Sequence, residues 1–277
     1  MSRISTYTIG ADPELFIINS KTGKVVSSIG LIPGEKGNPW VGDDMPKGFG
    51  LEIDNILAEF NIPPVTDRRS FITNIEYMKG YIRRFVQDKN PDLDILCKAS
   101  MEVPEDQLQS PEAKEFGCSV DYNVYTESPN PKPRGEETNL RSAGFHIHLG
   151  YNDYNPATSV ALIKYMDITL GLVSVLLDDD VARRSLYGKA GSFRLTEYGL
   201  EYRVLSSKMM SSKDYLELVY DGVILALKSY NSRALRPSTE DIRRAIDTSD
   251  KSLAYRILKS YEYYPSEKLD YIMNNLK

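Results

Sequence analysis

A chain of 277 residues that is 41% hydrophobic and 26% charged carries enough apolar side chains to bury a sizeable core, so one globular domain over residues 1–277 is expected. A formal net charge of −5 leaves no basic surplus to neutralise phosphates, which speaks against dedicated nucleic-acid binding. Cys97 and Cys118 are too few for a disulfide framework and lack CxxC spacing, and no apolar run approaches the roughly 20 residues of a membrane span; with no signal-like apolar stretch at the N-terminus, a soluble cytoplasmic protein is expected.

The first 65 residues are rich in glycine, proline and short apolar runs, the pattern of strands separated by turns. Asp12 and Glu14 in GADPELF stand two positions apart, so an extended segment aims both carboxylates to one side of a sheet. Pro13 between them suggests an edge strand or an irregular strand end. An exposed turn at Asp-Pro-Glu is the competing reading of these residues alone. Leu15–Ile18, a turn at Asn19–Gly23 and Val25-Val26 read as strand, turn and strand, and a second hairpin around Asp54-Asn55 joins Leu51–Ile53 to Ile56–Phe60. Glu59 lies in that second strand among apolar neighbours, where an unpaired buried carboxylate would be costly.

From Arg68 to Asp88, Phe71, Ile75, Met78, Ile82 and Phe85 recur at helical steps. The proline-rich stretch 128–137 is read as a connector, with a lid as the alternative. Next comes RSAGFHIHLG (residues 141–150), where Phe145, Ile147 and Leu149 alternate with His146 and His148, the two histidines of the chain. A strand with an apolar face toward helices and both imidazoles on the other face is predicted, and an HxH strand suits metal binding. A hydrogen-bonded structural pair is the other reading. A second helix opens with Asn155 as cap and Pro156 at its first position, carries Val160, Ile163, Met166, Leu170, Val173 and Leu177 on one stripe, and ends at the acidic run 178–180.

In Tyr198–Leu205 the alternation returns, with Glu201 and Arg203 on one face and Leu200, Tyr202 and Val204 on the other; a surface ion pair would be the plain explanation. A third helix follows Ser211-Ser212, and residues 210–277 read as mainly helical. The result is an α+β chain in which a polar sheet face gathers Asp12, Glu14, Glu59, His146 and Glu201, best relieved of their repulsion by Mg²⁺ or Mn²⁺. Arg183, Arg184, Arg194 and Arg203 add groups able to grip phosphate oxygens, or else a solvated basic patch. No Walker lysine loop or kinase glycine loop accompanies them, so phosphoryl transfer would use another architecture.

The order of GADPELF, DNILAEFN, FGCSVDYN, RSAGFHIHLG and RRSLYGKAGSFRLTEYGLEYRVLSS resembles the glutamine synthetase and glutamate-cysteine ligase superfamily, most closely its phage-encoded carboxylate-amine ligases (COOH-NH2 ligase type 2). The resemblance implies a glutamine synthetase-like curved antiparallel sheet carrying the active site, with helices packed on the opposite face. It implies ATP and Mg²⁺ (or Mn²⁺) as cofactors, and amide formation between small-molecule or peptide carboxylates and amines through an acyl phosphate. By carry-over, Asp12, Glu14, Glu59, His146 and Glu201 match metal ligands, while Arg203 and Arg194 match arginines facing the phosphates; Arg194, Glu201 and Arg203 form the catalytic set. The first pair is DxE where glutamine synthetases have ExE, and Ser119 stands where the phage pattern has an acidic residue, so Asp121 is the candidate ligand there. His148 receives no role. A homo-oligomer is compatible with this reading, and a phage-encoded chain would act in the host cytoplasm. A guanidino-kinase-like phosphotransferase and a non-catalytic nucleotide or metal sensor are the rival functions.

Overall fold

A computed structural model describes residues 3–114, 121–131, 138–178 and 180–276; Cys118, Ser119, Asp179 and residues 132–137 of the 128–137 stretch lie outside the described residues. Alternation of side chains about the strands decides how the molecule is layered. In β1 (Tyr7–Asn19) the odd-numbered Ile9, Ala11, Leu15 and Ile17 are buried toward the helices, and Gly10, Asp12 and Glu14 share the opposite face. The hairpin of β1 with β2 (Val25–Val26) is as the sequence predicts.

β3 (Gly50–Asp54) and β4 (Leu57–Val65) form the next hairpin, but its turn is Asn55-Ile56, one residue later than predicted. Asn55 takes φ 60°, a left-handed conformation that asparagine tolerates. Asp54 thereby becomes a strand residue on the same face as Glu52. Helix α1 (Arg68–Lys89) is capped by Asp67, whose side chain accepts from the Ser70 N–H, and buries Phe71, Ile75, Met78 and Ile82 as expected. β5 (Leu93–Leu96) pairs with the far half of β1; β6 (Ser100–Glu102), the four-residue helix α2 (Pro111–Lys114), β7 (Tyr122–Asn123), β8 (Ser128–Pro129) and β9 (Leu140–Ser142) follow. The segment around β6 and α2 packs Val103, Leu108 and Ala113 on Phe16, closing the polar face beyond Glu14 with a small second core.

β10 (Phe145–Tyr151), β11 (Ser192–Thr196) and β12 (Gly199–Tyr202) complete an antiparallel sheet in the order β3-β4-β1-β10-β12-β11-β7-β8. β1 is therefore a central strand, not the edge strand that Pro13 suggested. It survives there because the ladder to β4 skips Asp12 and Pro13, so the missing N–H costs no bond on that side.

The second predicted helix is capped by Asn155 and Pro156 as expected, and runs through three pieces: α3 (Pro156–Met166), a π-helical turn (Asp167–Gly171) and α4 (Leu172–Leu177). Contrary to the sequence reading, Pro156–Leu177 is long and apolar enough to span a membrane by length and composition; 83% of its most apolar window is buried inside the fold, as in a core helix. The short α5 (Val181–Leu186) leads to β11, and α6 (Lys213–Asn231), α7 (Thr239–Asp247), α8 (Lys251–Ser260) and α9 (Ser266–Asn275) make the C-terminal part mainly helical. α6 packs against both α1 and α3 beneath the sheet, leaving the polar face on the other side.

Candidate functional site

The antiparallel register brings together residues distant in sequence. Asp12 pairs with His146 across β1 and β10, His148 with Glu201 across β10 and β12, and Arg194 with Glu201 across β11 and β12. On the other flank Glu14 pairs with Glu59 and Glu59 with Glu52. An acidic row thus crosses five strands.

Two groups of ligand atoms are close enough to share an ion: Asp12, His146 and Glu201 in one, Glu14, Asp54 and Glu59 in the other, with the atoms of each group within 4.8 Å of one another. In the first, His146 Nδ1 lies 3.6 Å from Asp12 Oδ1 and 3.7 Å from Glu201 Oε1, beyond hydrogen-bond length. His146 Nε2 is buried without a hydrogen bond, and Asp12 Oδ1 has His148 Nε2 3.0 Å away. Glu201 is held by Arg203 on one oxygen and by Arg194 at 3.1 Å on the other, and Arg203 in turn donates to the Tyr187 hydroxyl at 2.6 Å. In the second group Lys36 reaches Asp54 at 2.7 Å, and the Gly37 N–H donates to Glu52 at 2.9 Å, docking the 35–38 turn against β3.

Electrostatics follow from this crowding. Burial, then the neighbouring Asp54, pushes Glu14 up to about 7. Burial and the adjacent Asp12, Glu14, Asp54 and Glu52 hold Glu59 well above the usual carboxylate range. Burial also raises Asp12, though the facing His148 pulls it back. His146 is held well below the ordinary imidazole value by burial and by Arg203, so it is neutral and available as a donor. For His148 burial acts downward, yet Asp12 at 3.0 Å prevails and raises it.

Beside the first group opens a cavity of about 480 Å³ lined by Thr8, Gly10, Asp12, Asn61, His148 and Tyr198 among others. Its floor is bare because Gly10 and Gly150 present no side chain. A Cβ at Gly150 would stand 2.7 Å from Thr8 Oγ1, while one at Gly10 meets only ordinary contacts at 3.7 Å. Tyr198, whose hydroxyl is hydrogen-bonded to His148 Nδ1, forms a wall.

Asp12, Glu14, Glu59, His146 and Glu201 are thus brought together with Arg194 and Arg203. Asp121 is not: it joins neither ligand group, and its carboxylate accepts from Asn130 Nδ2 at 3.1 Å. Arg183 and Arg184, expected to face phosphates, are buried beneath the sheet end. Arg183 donates to the Val204 and Leu205 carbonyls at 3.0 and 2.8 Å, and Arg184 to the Gly188 and Val204 carbonyls and to Ser174 Oγ. Their guanidinium groups brace the backbone that follows Arg203. The sequence reading missed Asp54, Glu52 and Lys36. The predicted hairpin set Glu52 opposite Leu57, and the one-residue offset of the turn both moves Glu52 opposite Glu59 and makes Asp54 a strand residue.

Fold and site together define an α+β protein with an antiparallel sheet whose polar face carries two groups of side chains that could each hold a metal ion. Residues 136–265, just under half of the chain, match the family described as phage phiEco32-like COOH.NH2 ligase-type 2, which supports a carboxylate-amine ligase family and hence an enzyme joining carboxyl and amine groups. The matched stretch includes His146, Arg194, Glu201 and Arg203, and stops short of the acidic strands β1, β3 and β4. No curated protein matches the chain.

Proposed function

We propose that this chain is an ATP-dependent carboxylate-amine ligase that works with Mg²⁺ or Mn²⁺ through an acyl phosphate, on a glutamine synthetase-like sheet. The observation that carries the reading is the pairing of two ligand groups on one sheet face with Arg194 and Arg203 at the same place. The donor set fits divalent cations: five carboxylates and one imidazole kept neutral, whose Nε2 is buried without a hydrogen-bond partner.

Asp12, His146 and Glu201 would hold one ion and Glu14, Asp54 and Glu59 the other. When bound, such ions neutralise phosphate oxygens and act as Lewis acids. Arg194, one-third exposed beside Glu201, would turn its fork to a phosphate, and Arg203 is steadied for the same task by Tyr187. The glycine-floored cavity beside Tyr198 would receive the base of the nucleotide. A substrate carboxylate oxygen attacks the γ-phosphorus and the bond to ADP breaks, giving ADP and an acyl phosphate. An amine nitrogen then attacks the acyl carbon, phosphate leaves, and loss of a proton completes the amide. The reaction would run in the cytoplasm, the host's for a phage-encoded chain.

A hydroxylamine trap tests this. With Mg-ATP and a pool of carboxylic acids, the protein should yield a hydroxamate together with ADP and phosphate. A phosphorylated guanidine without hydroxamate would identify a kinase, and nucleotide binding without turnover on any pool would identify a sensor. Glu201→Gln and His146→Ala should each lower hydroxamate formation at least roughly 100-fold with an unchanged far-ultraviolet circular dichroism spectrum; near-full activity in both would remove the site assignment.

A further inference from the structure

Beneath the strand that carries Glu201 and Arg203 lies a buried carboxylate for which the proposed reaction has no use. Asp167 opens the π-helical turn of the core helix and is 0% exposed. A carboxylate placed there is expensive unless it does something that an apolar residue cannot. It accepts a hydrogen bond of 2.7 Å from the hydroxyl of Tyr202, the residue that ends β12 and stands in sequence between Glu201 and Arg203.

We propose that Asp167 is a positioning residue for the site: by holding the Tyr202 hydroxyl it fixes the register and roll of β12, so that Glu201 and Arg203 face the cation position. The inference rests on the ligase reading for its activity arm and on the cation site alone for its binding arm.

Three observations carry it. First, Tyr202 is the last residue of β12 paired on both sides, to Ile147 of β10 and to Phe193 of β11. Beyond it, among the described residues, the backbone link across to the β11 side is Arg203 N–H to the Ser192 carbonyl at 3.0 Å. The anchoring of Tyr202 therefore decides how Arg203 leaves the sheet, and a one-residue slip would turn both functional side chains into the helix layer.

Second, the space for the contact is built. A Cβ at Gly171 would lie 2.8 Å from Tyr202 Oη and 3.4 Å from Asp167 Oδ1, so the glycine that ends the π turn keeps the path open. π turns inside α-helices recur where a helix serves a functional site.

Third, the same carboxylate reaches the neighbouring strand's support. The Tyr125 hydroxyl lies near it, Tyr125 belongs to the turn between β7 and β8, and β7 pairs with β11, which bears Arg194. Neither Asp167 Oδ2 nor the Tyr125 hydroxyl has a well-formed hydrogen bond. The Asp167 carboxyl thus sits between the supports of β11 and β12, while the apolar stripe of the helix supplies the packing.

Four variants, Asp167→Leu, Asp167→Asn, Tyr202→Phe and Glu201→Gln, are compared by Mn²⁺ titration calorimetry, hydroxamate kinetics and thermal melting. Asp167→Leu and Tyr202→Phe should melt within a few degrees of the parent, weaken the Mn²⁺ ion that Glu201→Gln removes, and lower kcat on the order of 10- to 100-fold. Asp167→Asn keeps an acceptor oxygen and should retain both within a few-fold. Unchanged Mn²⁺ affinity in Asp167→Leu and Tyr202→Phe overturns the proposal, as does a loss in all three Asp167 and Tyr202 variants that merely follows their melting temperatures. Tyr202→Phe, which deletes one oxygen, decides the matter if Asp167→Leu does not fold. A parent protein that binds Mn²⁺ without forming hydroxamate overturns the ligase reading while the Mn²⁺ arm still judges Asp167; a parent that binds no Mn²⁺ overturns both.

Discussion

The ammonium of Lys36 stands 2.7 Å from Asp54, one of the carboxylates of the second acidic group, so it would compete with a divalent ion there. Lys36→Met should therefore tighten the second Mn²⁺ about tenfold in calorimetry while leaving the first unchanged; weaker binding would show instead that the lysine holds the site open. The arginines divide in the same physical terms. Arg183 is 1% exposed and bound to two carbonyls, so Arg183→Met should destabilise the protein by about 2–4 kcal/mol in urea unfolding through stranded acceptors. Arg194→Met should leave unfolding unchanged and lower turnover. At this scale the sequence put Asp12, His146 and Glu201 on one sheet face, where the structure has them, because strict alternation ties a polar side chain to one face. It misled on Arg183 and Arg184, since a pair of adjacent arginines on a short helix reads the same whether it meets phosphate or backbone carbonyls.

Strands and helices were legible where a single period rules them. α1 and α6 follow their apolar stripes and caps, and the HxH strand is where alternation put it. The π turn left no mark in the pattern, because the core helix is apolar nearly all round and one widened turn does not disturb a stripe that has no polar side. Pro13 misled because a proline forbids only the N–H bond, and β1 leaves that position unpaired toward β4 while still pairing with β10. The floor of the cavity is a property of two strands together, Gly10 of β1 and Gly150 of β10. Gly10→Val gives a β-branched residue that a strand accepts and adds bulk where only ordinary contacts await its Cβ. It should raise the KM for the nucleotide about tenfold or more with kcat within a few-fold, measured with the hydroxamate assay. A KM unaffected by this substitution would move the nucleotide base elsewhere.

The sheet order could not be read from local patterns, because β1 is flanked by β4 and β10, the second more than a hundred residues away, and such pairings leave no trace in periodicity. Once that order is built, it concentrates like charges on one face, and the whole molecule inherits a dependence on pH and on cations. Glu14 moves from an ordinary 4.5 to about 7 on folding, Glu59 is held well above the usual carboxylate range, and Asp12 moves upward as well. A carboxyl with a raised folded pKa binds its proton more tightly in the native state, so its contribution is full below about 4.5 and is lost as pH rises through the folded value, roughly 3 kcal/mol for Glu14. His146, with its folded pKa depressed, acts in the other sense and withdraws stability as pH falls below its ordinary 6.5. Divalent cations bind the deprotonated carboxylates, so they restore on the alkaline side what proton loss removes. The melting temperature in Mg²⁺ should then exceed that in EDTA by little at pH 5.5 and by progressively more up to about pH 8. A difference that is flat or shrinks with rising pH in this interval would separate the acidic row from cation binding, and with it the proposed chemistry from the sheet that would carry it.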